Sequence, residues 1–117
     1  MTEDRVRQSL LLDFYGELLT DKQRACCELH FNEDLSLSEI AEQCGVSRQG
    51  VWDNIRRGVA SLEQIEEKTG LLRRFSETQH ALEALRDTAD KLCALRLTGE
   101  AKTLAAGLSQ GLEALLE

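Results

Sequence analysis

Three arginines, two amides and the only tryptophan of the chain fall within residues 48–57: Arg48, Gln49, Trp52, Asn54, Arg56 and Arg57, with Ser47 just ahead of them. Arg and Gln bond base edges bidentately in a major groove. A serine at a helix N-terminus holds phosphate, and Arg56 and Arg57 can add charge contacts to a nucleic-acid backbone. Trp52 can stack on an unpaired base. Its amphipathic ring suits packing against a neighbouring helix or a partner chain even better. Asp53, in the middle of the set, repels phosphate. It can accept from a cytosine amino group, but a pair with Arg56 or Arg57 suits it better. The same side chains also fit a solvated face used for protein contacts.

Other reactive types do not assemble into a site by spacing. Cys26, Cys27 and His30 share a helix face and could begin a metal site. A structural zinc site wants four ligands, and no fourth lies nearby in sequence. Small buried apolar cysteines are the expectation. His30 and His80 lack a triad-like context, glycine-rich phosphate loops are absent, and the carboxylates spread over polar faces. No catalysis, no cofactor and no metal are expected.

The elements that must position Arg48 and its neighbours are legible in LSEIAEQCGVSRQGVWDNIRRG, residues 37–58. Ser36-Leu-Ser-Glu39 is a capping box, with Leu35 and Ile40 placed as its hydrophobic staple. Ala41 is the small residue a crossing helix needs, and Gly45 can take the left-handed conformation that ends a helix tightly. Ser47 then caps the next helix, with Val46 and Val51 as staple. Ile40, Cys44, Val46, Val51 and Ile55 are the expected buried positions. Together these features define a helix-turn-helix whose outward face carries Arg48, Gln49, Trp52, Asp53 and Arg56.

Six helices are expected in all. The first runs from Asp4 to Leu19 with Val6, Leu10, Phe14 and Leu18 on one stripe. Thr20-Asp-Lys-Gln23 is a capping box opening a second helix through Phe31, followed by a polar break from Asn32 to Leu35. The helix after Ser47 should reach Thr69 and stop at Gly70. Ser76-Glu-Thr-Gln79 matches a third capping box, ahead of Leu82, Leu85, Ala89 and Leu92. Thr98-Gly99 interrupts, and Leu104, Leu108, Leu112 and Leu115 form a last stripe. These two segments suit an antiparallel hairpin or a coiled-coil seam in a homodimer. Residues 1–70 thus form a helix-turn-helix domain, and residues 71–117 a C-terminal helical extension.

Composition agrees with an all-α chain. Its 117 residues contain no proline and 4% aromatics, and helix formers dominate. The net charge of −7 argues against avid non-specific nucleic-acid binding. That charge is uneven: residues 1–46 carry −6 and residues 76–117 carry −3, while residues 47–75 carry +2. The positive segment is the one holding the second helix of the motif. No signal-peptide run or membrane span is present, and four cysteines without a spaced framework fit reduced thiols in the cytoplasm.

Asp13-Phe-Tyr15, Leu18-Leu-Thr20, Lys22-Gln23, Glu33-Asp-Leu-Ser-Leu37, Glu39-Ile-Ala-Glu42, Val46-Ser-Arg-Gln49 and Asp53-Asn-Ile55 resemble the YlxM family of small bacterial proteins. The resemblance covers roughly residues 5–75 and fades from Ser76 onward. It implies a fold close to the promoter-reading C-terminal domain of sigma factors. It also implies a regulatory role beside the signal recognition particle GTPases, whose genes usually neighbour the family's. The implied partners are RNA or DNA, the particle's RNA among them, or the GTPase itself through protein contacts alone. Gly50 and Trp52 depart from the family's usual Ala and Tyr, and a glycine there costs the helix about 0.5–1 kcal/mol relative to alanine.

Overall fold

Leu10, Leu11 and Leu12 follow one another, so the inward face of the first helix cannot be read from spacing alone. In the computed structural model, which describes residues 3–117, α1 (Glu3–Tyr15) buries Leu11, Leu12 and Tyr15. The expected stripe is therefore displaced. Val6, Phe14 and Leu18 lie exposed and Leu10 only packs on the rim of the core. The helix also ends earlier than expected, at Tyr15. A 3₁₀ turn (Gly16–Leu18) follows and swings Leu19 inward instead of Leu18.

Two of the three expected capping boxes form. Thr20 Oγ1 accepts from the Gln23 N–H at 3.2 Å, and Gln23 Oε1 accepts from the Thr20 N–H at 3.3 Å. They open α2 (Asp21–Cys27), which passes into a π-helical turn (Glu28–Asn32). Ser36 and Glu39 exchange the same pair of bonds at 3.0 and 3.1 Å and open α3 (Leu37–Cys44). Between them, Arg5 reaches across from α1. Its guanidinium donates to the His30 carbonyl at 2.6 Å, pairs with Asp34 at 2.8 Å and lies over the Phe31 ring. The polar break is thereby pinned, with Asp34 at φ 59°.

The long helix α4 (Arg48–Thr69) carries two separate faces of the core. Its first half supplies Val51 and Ile55 to a cluster with Cys26 and Ile40, on which Leu35, Ala41 and Val46 pack. Its second half supplies Leu62 to a cluster with Leu11, Leu12, Tyr15, Leu19, Cys27 and Leu72. Gly58 stands where α4 meets α2. A Cβ there would come to 2.7 Å of the Cys27 sulfur. Burial in this contact pushes the Cys27 thiol up to about 12, so it stays a protonated, inert packing group. Cys26 and Cys27 are both buried, as the sequence implies, but Cys44 is exposed. Cys44 is the last residue of α3, where the helix rises out of the core towards the turn.

The α4–α5 junction departs from the third expected cap. Gly70 takes φ 63° and closes α4, and α5 (Leu71–Cys93) begins at once, running straight through Ser76. The start is satisfied from behind. Glu66 Oε1 accepts from the Leu72 N–H at 2.9 Å and from the Tyr15 hydroxyl at 2.6 Å, while Thr69 Oγ1 accepts from the Leu71 N–H. Since the Tyr15 proton goes to Glu66, the Thr69 hydroxyl donates to the Tyr15 oxygen at 2.6 Å. A carboxylate one helix earlier thus does the work expected of Ser76.

The chain divides into two compact units, one ending at Leu72 and the other comprising Arg73–Glu117. In the second, α5 and α6 (Gly99–Leu116) run antiparallel. Arg86 faces Glu113 at 3.8 Å and the Ser109 hydroxyl donates to Asp90 at 3.1 Å. Only alanines, Ala89 and Ala105, are buried there among its described residues.

Candidate nucleic-acid interface

Gly45 at φ 66° and ψ 33° turns the chain between α3 and α4. Ser47 Oγ accepts from the Gly50 N–H at 2.9 Å, which fixes the first turn of α4. Gly50 holds the position in its cap that Gln23 and Glu39 fill with full side chains in theirs, so the Ser47 cap does not by itself call for glycine. The positive end of the α4 dipole lies at this cap, where Ser47, Arg48 and Gln49 are exposed.

The motif's outward side chains divide into tied and untied groups. Asp53 Oδ1 accepts from Gln49 Nε2 at 3.3 Å and from Arg56 Nη2 at 3.4 Å. The acid therefore pairs with Arg56, one of the two partners the sequence offered, and it also engages Gln49. Arg48 and Arg57 are exposed and make no ion pair or hydrogen bond among the described residues. Trp52 is 47% exposed and belongs to neither core cluster, so its ring is not absorbed by the chain's own interior as packing would require. Ser47, Arg48, Gln49, Trp52, Arg56 and Arg57 are all solvent-facing on this part of α4.

Asn54 stands apart from them. It is half-buried, its amide donates to the Gly50 carbonyl at 3.0 Å, and it lines a cavity of about 250 Å³ with Cys26, Cys44 and Val46. In that cavity Cys26 is shifted upward, first by burial and then by the neighbouring Cys44 thiol. The outward face read by period already leaves out Asn54, which lies towards Val51 on the helix.

Among the described residues, no group of three or more His, Cys, Asp or Glu is placed to hold a metal ion. No helix of theirs is long and apolar enough to cross a membrane.

A short helix capped by Ser36, a left-handed glycine and a second capped helix with an exposed polar face together define a helix-turn-helix protein. The family model described as "Putative helix-turn-helix protein, YlxM / p13 like" matches residues 2–98, and the chain belongs to that family. A UPF0122 protein of Geobacillus kaustophilus is 53% identical over 87 residues, 74% of this chain and 79% of the relative. One of Acetivibrio thermocellus is 52% identical over 86 residues, 72% and 74% of the two chains. One of Halalkalibacterium halodurans is 46% identical over 91 residues, 78% and 84%. The family match runs past Ser76, where the resemblance was expected to fade, through α5 to residue 98. The match thus takes in α5 and stops just before α6.

Proposed function

We propose that this protein is a non-catalytic regulatory factor that contacts nucleic acid through the first half of α4 and acts in the signal recognition particle pathway, in the cytoplasm. The observation that carries the reading is the capped N-terminus of α4 with Arg48 exposed beside it, and Trp52 and Arg57 exposed further along the same helix. Exposed arginines without an internal partner are available to phosphate at no cost in broken ion pairs. An exposed tryptophan beside them favours RNA with unpaired bases over duplex DNA. The pathway itself rests on the family resemblance alone.

Fluorescence anisotropy with signal recognition particle RNA, an unrelated RNA and random duplex DNA across a salt series tests this. Binding should weaken with salt, and Arg48→Ala with Arg56→Ala should lower RNA affinity by about tenfold or more while helicity is unchanged. No binding to any of the three nucleic acids would sink the reading. The net charge of −7 favours a second one, a protein module that modulates the particle's GTPases without touching nucleic acid. Capture of the GTPase by the same double variant, together with absent RNA binding, would establish it.

We take residues 71–117 as an extension that dimerises. The hairpin buries alanines and leaves Leu104 62%, Leu108 56% and Leu115 65% exposed on one face of α6. A two-helix unit cannot cover such a stripe by itself, whereas a second copy offers the same stripe in a self-complementary arrangement. Light scattering should give twice the chain mass, falling to the monomer mass in Leu104→Ser with Leu108→Ser. A monomeric wild type would dismiss the dimer.

A further inference from the structure

The first unit carries a second open feature, far along α4 from Arg48. A groove of about 660 Å³ runs between α1, the 3₁₀ turn, α2 and the end of α4. Its apolar lining includes Leu12, Leu18, Ile65 and Leu71, with Leu18 69% exposed and Leu71 48% exposed. Ile65 follows Arg48 by seventeen positions, roughly 25 Å along a helix axis. The groove is thus a separate surface from the arginine face.

Its rim is acidic. Asp13 and Glu17 line it, both exposed and without an ion pair among the described residues. The single cation of the lining, Arg24, is held by Glu28 at 2.9 Å. Arg24 also lies in the field of Glu17 and Asp21, which helps raise its affinity for its proton.

We propose that this groove docks a basic amphipathic helix of a partner protein. Charge sets the class of partner. A nucleic acid or an anionic membrane surface would meet carboxylates at the rim and be repelled. A helix with an apolar ridge flanked by Lys and Arg would bury Leu18 and Leu71 and pair with Asp13 and Glu17. Backbone geometry excludes strand addition, because the walls are helical segments whose main-chain groups are already bonded and no sheet edge exists among the described residues. Burying a leucine that is now mostly in water is favourable by about 1–3 kcal/mol, so the floor supplies affinity and the rim supplies selection.

The test is anisotropy of a labelled Leu/Lys amphipathic peptide of about 18 residues, five helical turns, added to the full chain. A Leu/Glu peptide with the same pattern serves as its counterpart. The Leu/Lys peptide should bind and the Leu/Glu peptide should not. Leu18→Ser should weaken binding several-fold, and Asp13→Lys with Glu17→Lys should weaken it by about tenfold or more. All three positions are exposed, so thermal unfolding should be nearly unchanged. Glu83→Lys with Glu100→Lys, the same charge change in the second unit, should leave affinity within about twofold. Amide shift perturbations should centre on residues 12–18 and 65–71. The proposal is overturned if the wild type does not bind the basic peptide, if the control reversal costs as much as the rim reversal, or if the shifts fall elsewhere.

Discussion

Gly58→Ala should lower the thermal midpoint of this protein, although alanine is the better helix former. On an open helix the change would stabilise by about 0.5–1 kcal/mol. Here the new Cβ would come to 2.7 Å of Cys27 Sγ, with Gln23 Cβ and Leu19 Cδ1 at 3.7 Å. Cys27 cannot rotate away cheaply, because it is fully buried and its thiol donates to the Ile55 carbonyl at 3.9 Å. Overpacking of this kind costs about 1–3 kcal/mol. The net loss should be about 1–2 kcal/mol, several degrees in midpoint for a chain of this size. Cys27→Ala alone removes a small buried group and should cost about 1 kcal/mol. The double variant, however, removes the clash, so it should recover about 1 kcal/mol or more relative to the sum of the singles. A stabilised Gly58→Ala, or strictly additive effects, would show that α2 and α4 do not meet as closely as described.

Gly58 also shows where sequence reading stops. Most signals that act within four residues of themselves were legible: two of the three capping boxes, Gly45 and Gly70 as left-handed stops, and Val51 and Ile55 as the inward face of α4. Each is a short-range bond or a period. What was not legible depends on a partner distant in the chain. The register of α1 is decided by which of three adjacent leucines meets Leu62 and Leu72, more than forty positions later. The start of α5 is set by Glu66 and Tyr15 rather than by Ser76. Gly58 is a plain mid-helix glycine until Cys27 is seen against it.

The candidate interface was legible in the same partial way. Period placed Arg48, Gln49, Trp52 and Arg56 outward, and all are exposed. That Asp53 engages Gln49 and Arg56 together is a matter of rotamers, which spacing does not fix. Nor could spacing tell that Trp52 stays 47% exposed, since an amphipathic ring is at home in either setting.

That shared carboxylate yields the second large effect. Asp53→Asn should raise RNA affinity by about threefold to tenfold. Arg56 loses an exposed ion pair worth roughly 0.2–1 kcal/mol, and a negative charge leaves the face that phosphate must approach. The salt dependence should steepen by about one phosphate contact as Arg56 becomes available. Trp52→Ala should act in a different way. Losing one stacked base costs about 1–3 kcal/mol, roughly fivefold to a hundredfold. Stacking releases no counterions, so the salt slope should stay where it was. The loss should also be larger on RNA with an open loop than on a blunt duplex, where no base is free to stack. If Asp53→Asn weakens binding, the acid is a base-reading group rather than a brake on the arginines. If Trp52→Ala changes the slope and spares the loop preference, the ring is not a stacking platform. If neither variant changes RNA binding at all, the first half of α4 is not the nucleic-acid face, and the acidic chain's contacts are with protein.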